Sequence, residues 1–185
     1  MNRRLFQLLV FGACWIGNAL VHAESKLLRE QGEILFTLQQ MGAPLQGRFR
    51  SFDARVDYDP SALAATRVSM TIDLGSVSLG VSEFDEEATK RDWLAVRAFP
   101  QATFVSSAVK VIAPDQLEVA GRLTIKGASR DMTIPVRLSP SGRNTMATGA
   151  FVIKRLDYKV GDGEWKDTSV IANEIQVRFK FVLST

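Results

Sequence analysis

Reactive side chains are scarce in this sequence, and where they stand decides what chemistry remains. There is one histidine, His22, and one cysteine, Cys14. Both fall in a leader: Arg3 and Arg4 make a short basic start, an apolar run with small interruptions extends from Leu5 to Val21, and Val21-His22-Ala23 precedes a cut before Glu24. That is the layout of a secretory signal peptide over residues 1–23. A membrane anchor is the competing form. Gly12, Gly17 and Asn18 interrupt the run, no stop-transfer charges follow it, and its length is marginal for a span. Once the leader is cut, residues 24–185 hold neither His nor Cys. A Ser-His-Asp triad, a thiolate nucleophile, an ordinary zinc site and a disulfide are then out of reach.

The remaining matches to catalytic patterns fail on geometry. Ser107 and Lys110 have Ser-x-x-Lys spacing, but that chemistry needs both on one helical face. Their segment reads as a strand, where positions three apart point to opposite faces. Gly161-Asp162-Gly163-Glu164 lacks the third glycine and following helix of a nucleotide cradle. A carboxylate pair could hydrolyse a glycoside, but the 20 acidic residues stand mostly at outward strand positions or in one helix, with no specific pairing. The acidic run Glu83 to Glu87 reads as the first turn of a helix capped by Ser82, with Glu86–Lys90 and Glu87–Arg91 ion pairs, not as a cation site. No enzyme chemistry is supported, and no cofactor or metal is required. Export has two open variants: Arg3-Arg4-Leu5-Phe6 partly matches a twin-arginine signal, and Gly12-Ala13-Cys14 partly matches a lipoprotein box.

The elements that carry these residues are strands. Val68, Met70, Ile72 and Leu74 alternate with polar residues, as do Leu117 to Ile125, Met132 to Leu138 and Ile175 to Leu183. One dry and one wet face is the antiparallel habit. Phe49 and Phe52 break phase and ask for a bulge near Arg50-Ser51; Phe104 and Val109 ask for another near Ser106-Ser107. Turn signals at Met41–Pro44, Asp59–Ser61, Ala113–Asp115, Gly127–Ser129 and Pro140–Gly142 divide about eight strands, which suits a closed barrel or a sandwich. The fold class is all-β, with one short helix in a connection. Without Arg3 and Arg4, 21 basic residues face 20 acidic ones, and no basic patch with interleaved aromatics points to nucleic acid.

Several stretches together resemble a known family. These include Gly47-Arg48-Phe49, Tyr58-Asp59-Pro60, Asp92-Trp93-Leu94, Phe99-Pro100-Gln101-Ala102-Thr103-Phe104, Gly121 to Gly127, Arg155-Leu156-Asp157-Tyr158 and Gly161 to Thr168. In this order and spacing the chain resembles the YceI-like, polyisoprenoid-binding family of bacterial exported proteins across residues 24–185. The resemblance implies an eight-stranded antiparallel, lipocalin-like barrel around an elongated apolar tunnel for an isoprenoid lipid, including quinone tails. It also implies a periplasmic location and a membrane b-type cytochrome as a partner. Lys154, Lys159 and Lys126 depart from the Asn, Gly and His usual in the family, which bears on the loop around Tyr158.

The inward apolar set that would wall such a tunnel is Phe36, Leu38, Phe49, Met70, Ile72, Phe104, Val119, Ile125, Ile134, Val136, Phe151, Ile153, Val177 and Phe179. An eight-stranded barrel is wide enough to be filled by side chains or to hold one slim ligand, so roughly half of these are expected to be packed core. Gly121, Gly149, Ala54, Ala147 and Ala172 either leave room inside or mark bends. Trp93, Tyr158 and Trp165 lie in or beside connections, as a mouth would require, and Arg155 with Asp157 either pins a loop as a salt bridge or meets a head group. The expected function is a carrier of an isoprenoid lipid or quinone, monomeric or homodimeric. The alternative is a filled barrel serving an envelope stress response or a respiratory partner.

Overall fold

The computed structural model describes residues 25–59 and 61–184; the leader, with Cys14 and His22, lies outside the described residues. Eleven strand segments follow in order: β1 (Ser25–Leu27), β2 (Glu33–Gln40), β3 (Ala43–Phe49), β4 (Phe52–Asp57), β5 (Arg67–Asp73), β6 (Val77–Ser78), β7 (Gln101–Ala113), β8 (Gln116–Ile125), β9 (Ala128–Ser141), β10 (Asn144–Lys154) and β11 (Glu174–Ser184). One helix, α1 (Ser82–Thr89), stands between β6 and β7. The eleven segments make eight staves, because three staves are each broken in two: β1 from β2, β3 from β4, and β5 from β6. All pairings are antiparallel, and β1 joins both β4 and β11, which closes the sheet into a barrel.

The phase breaks seen in the sequence are where the staves bend. At Arg50-Ser51 the chain leaves the ladder, Arg50 N–H donates to the Ser76 carbonyl, and Ser51 N–H donates to the Ser76 hydroxyl. Phe49 and Phe52 thereby both pack against the core. In β7 the register slips between Ser106 and Ala108, so Ser107 is the extra residue and Phe104 and Val109 both turn inward. Lys110 faces Glu118 across the ladder, at 3.9 Å, instead of Ser107. Pro44, expected in a turn, is the second residue of β3; the turn is Met41-Gly42, both at positive φ.

The ladder between β9 and β10 ends at Val136–Gly149. Pro135, the next residue of β9, has no N–H to offer. Beyond it β9 pairs with β8 alone and β10 with β11 alone, and the turn Arg155–Tyr158 packs against β9. Helix α1 differs from expectation at its ends. Val81, not Ser82, occupies the cap position and gives no side-chain bond, while the Asp85 carboxylate reaches back to Leu79 N–H. The helix stops at Thr89, too early for the expected four-residue spacings. Lys90 instead holds Glu87 at 2.6 Å, and Arg91 lies 3.5 Å from Asp92.

Candidate functional site

The barrel interior is filled at one end and hollow at the other. The filled end contains Leu27, Val56, Leu117, Leu138, Phe181 and Leu183, all buried. The hollow end holds a cavity of about 250 Å³. Its walls come from the inward residues of β2 and β3, the end of β5, β6, the start of β7, the ends of β8 and β10, the start of β11, and a cover made of α1, the connections on either side of α1 and the connection between β10 and β11. Nearly all are apolar. The exceptions carrying a polar group are Gln40, Glu87, Trp93, Arg155, Tyr158 and Trp165. Glu87 is the one carboxylate among them, so no pair of acids spans the cavity. The acidic first turn and the Ser107–Lys110 spacing contribute nothing to it.

Of the seventeen residues expected to form the wall and mouth, eleven line this cavity: Phe36, Leu38, Phe49, Ile72, Trp93, Ile125, Phe151, Ile153, Tyr158, Trp165 and Val177. Met70, Phe104, Val119, Ile134, Val136 and Phe179 do not. They face inward as their phase requires, but in the filled half, where they belong to or pack against the buried core. The expectation that small strand residues leave room is also corrected at two of them. A Cβ at Gly121 would collide with the Phe104 ring, and one at Gly149 with the Phe179 ring. These glycines are seats for aromatic rings. Gly47 is another, under Phe36.

Arg155 organises the cover. It is 0% exposed, yet no carboxylate among the described residues pairs with it. Nε donates to the Ala172 carbonyl at 3.1 Å; Nη1 donates to Val160 and Gly161 at 3.1 and 3.0 Å; Nη2 donates to Trp165 and Ile171, both at 2.8 Å. A guanidinium has five N–H donors in a fixed fork, and all five are matched. Burial pulls its pKa below the ordinary arginine value, while the five carbonyl dipoles stand in for the lost water. The sequence reading of a loop pinned by Arg155 holds, but the partner is the backbone of the loop and not Asp157. No donor is left over for a ligand head group. Its carbon also lies 5.9 Å from the centroid of the Trp93 ring, which in turn tilts against Trp165 at 5.4 Å.

Lys126 ties the same cover to the barrel. Its ammonium donates to the carbonyls of Lys159 at 2.6 Å and Asp92 at 3.2 Å, and burial lowers its pKa against the opposing pull of Asp162 and Asp92. Lys159 itself is left-handed, with φ at 58°, a conformation that favours glycine. The departures from the family pattern at Lys126 and Lys159 thus meet at one bond. Tyr158 is 3% exposed, and burial raises its pKa, so its phenol stays protonated at neutral pH. The Trp93 indole nitrogen is shielded from solvent and has no acceptor among the described residues.

Other lining residues escaped the expected wall, among them Leu94, Val160 and Ile171. They lie in connections, where a period of two has no phase to follow. Phe84 and Ala88, four apart on α1, also line the cavity, and that spacing is the helical signal that could have found them. Phe84 is 42% exposed as well, so the cavity reaches the surface beside α1.

A family profile describing a YceI-like domain matches residues 26–183. Proteins named YceI from Salmonella arizonae and Salmonella paratyphi B are each 30% identical over 145 residues, covering 77% of this chain and 75% of theirs. Among solved structures, Burkholderia cenocepacia BcnA superposes with a TM-score of 0.82 at 37% identity, over 85% of this chain and 99% of BcnA. A Saccharophagus degradans domain described as polyisoprenoid binding superposes with a TM-score of 0.70 at 17% identity, over 88% of this chain and 98% of its own.

Proposed function

This chain belongs to the YceI-like family, and we propose that it is a periplasmic carrier that encloses an isoprenoid lipid, a polyprenyl or isoprenoid quinone tail, in its barrel cavity. The observation that carries this reading is the cavity wall itself. Apolar side chains from seven staves and the cover converge on it, and the charged groups present are already matched within the protein. Such a site binds through burial, at about 0.8 kcal/mol per CH₂ taken from water. It needs no catalytic group, which supports a binding role. The description of the Saccharophagus neighbour as a polyisoprenoid-binding domain supports the choice of lipid. The leader over residues 1–23 supports export, and a quinone tail would suit a membrane b-type cytochrome as the partner that supplies or receives it.

Mass spectrometry of the organic extract from mature protein, purified without detergent, tests this. The expected result is one prenyl or quinone species near one per chain. Delipidated protein that also refuses added isoprenoids would overturn the reading.

A further inference from the structure

The cavity ends on one level of the barrel, and two aromatic rings stand just beyond that level. On β7, Ala102 lines the cavity and Phe104, the next inward residue, does not; on β11 the same is true of Val177 and Phe179. Each ring lies over a glycine of the neighbouring strand. Gly149 is directly opposite Phe179; Gly121 is diagonal to Phe104, whose direct partner is Leu123, and both glycines lack the side chain that would displace the ring. The rings therefore lie down over those glycines inside the barrel, and Phe179 stacks on Phe181, with centroids 5.0 Å apart. We propose that Phe104 and Phe179 are the floor of the site and set the length of isoprenoid tail it accepts. This rests on the reading of the cavity as an isoprenoid site.

The depth follows from β2, which lines the cavity from Ile34, opposite Phe179, to Gln40 at the rim. Six residues at about 3.3 Å each make roughly 20 Å of strand. At a barrel tilt of about 40° this is roughly 15 Å of depth. An extended isoprene unit adds four chain bonds, roughly 5 Å at ordinary bond lengths. The floor thus admits about three units, and the rest of a longer chain stays at the rim beside Phe84.

Prenyl alcohols of two to six isoprene units, competing with the neutral dye N-phenylnaphthylamine for the mature protein, test the floor. Affinity should climb at least about tenfold for each unit up to the third, since every CH₂ is buried. It should then level off. Phe179→Ala should move that break one unit longer, and Phe179→Leu should move it in the same direction by less, with smaller risk to the fold. Val119→Ala, a truncation deeper in the filled half, should leave it in place. Affinity that keeps climbing through six units in the unsubstituted protein, or a break unmoved in folded Phe179→Leu and Phe179→Ala, overturns the floor. If no prenyl alcohol of any length displaces the dye, the isoprenoid reading falls, and the floor with it.

Discussion

Replacing Arg155 by methionine should loosen the cavity cover before it unfolds the barrel. Methionine keeps most of the apolar stem but removes the charge and all five donors. Bonds to a charged group contribute about 1.5–3 kcal/mol each, so a simple sum over the five would rival the whole stability of a domain, about 5–15 kcal/mol. That sum overshoots, because the five carbonyls belong to one segment, Val160 to Ala172, which can swing out and find water. The expected loss is therefore that of breaking one buried ionic centre, about 3–5 kcal/mol. Lysine should recover less than half of it, since its ammonium has three donors and no fork.

Urea unfolding reads the global part: at an m-value near 2 kcal/mol/M, the midpoint should fall by roughly 2 M. Hydrogen exchange reads the local part. The N–H groups of Val160, Gly161 and Ala172 donate to Arg155, Asp92 and Gln39 carbonyls and should lose protection first, while the β8–β9 ladder keeps its own. A midpoint within about 0.5 M of the starting protein, with these amides still protected, would refute the assignment of Arg155 as the anchor.

Three further outcomes follow from named contacts. Gly149→Ala should cost about 1–3 kcal/mol by urea unfolding, because its methyl meets the Phe179 ring and the Pro135 carbonyl; Phe179→Leu in the same chain should recover part of that loss, and strict additivity would argue against the ring seat. Lys159→Gly should raise stability by up to about 1 kcal/mol by relieving the left-handed backbone, whereas a loss would show that the side chain contributes more than the strain it bears. Tyr158 is held protonated by burial, so the unfolded chain releases this proton at lower pH than the folded one. Its contribution to stability is full below the ordinary tyrosine range and declines as pH rises through and above it. Phenolate absorbance should show a late-titrating tyrosine that Tyr158→Phe removes, and an unchanged titration in that variant would sink the assignment.

Much of the barrel could be read from alternation alone, and the places where alternation failed were informative. The three-residue spacing of Phe49 and Phe52 marked the real break in a stave, and the phase change after Phe104 marked the extra residue at Ser107. Each is a local conflict between keeping an aromatic ring dry and keeping the ladder in register. The cover was legible only in part. Trp93, Tyr158 and Trp165 stood out as aromatic residues in connections, but Val160 and Ile171 did not. Their burial depends on the Arg155 fork drawing their carbonyls inward from distant points of the loop.

What alternation could not convey is depth. A period of two says which face of a strand a residue occupies, and it repeats identically from one end of the barrel to the other. Phe104 and Ile125 have the same phase and the same chemistry, yet one is packed core and the other lines a void. The difference arises across strands: at the level where the cavity ends the Phe179 ring lies over Gly149 and the Phe104 ring over Gly121, whereas Phe36, which lies over Gly47, stands in the hollow end and lines it. The hollow length of this barrel is therefore set by where along the staves such a ring stands. Phe179 with Gly149 is the pair that decides it here.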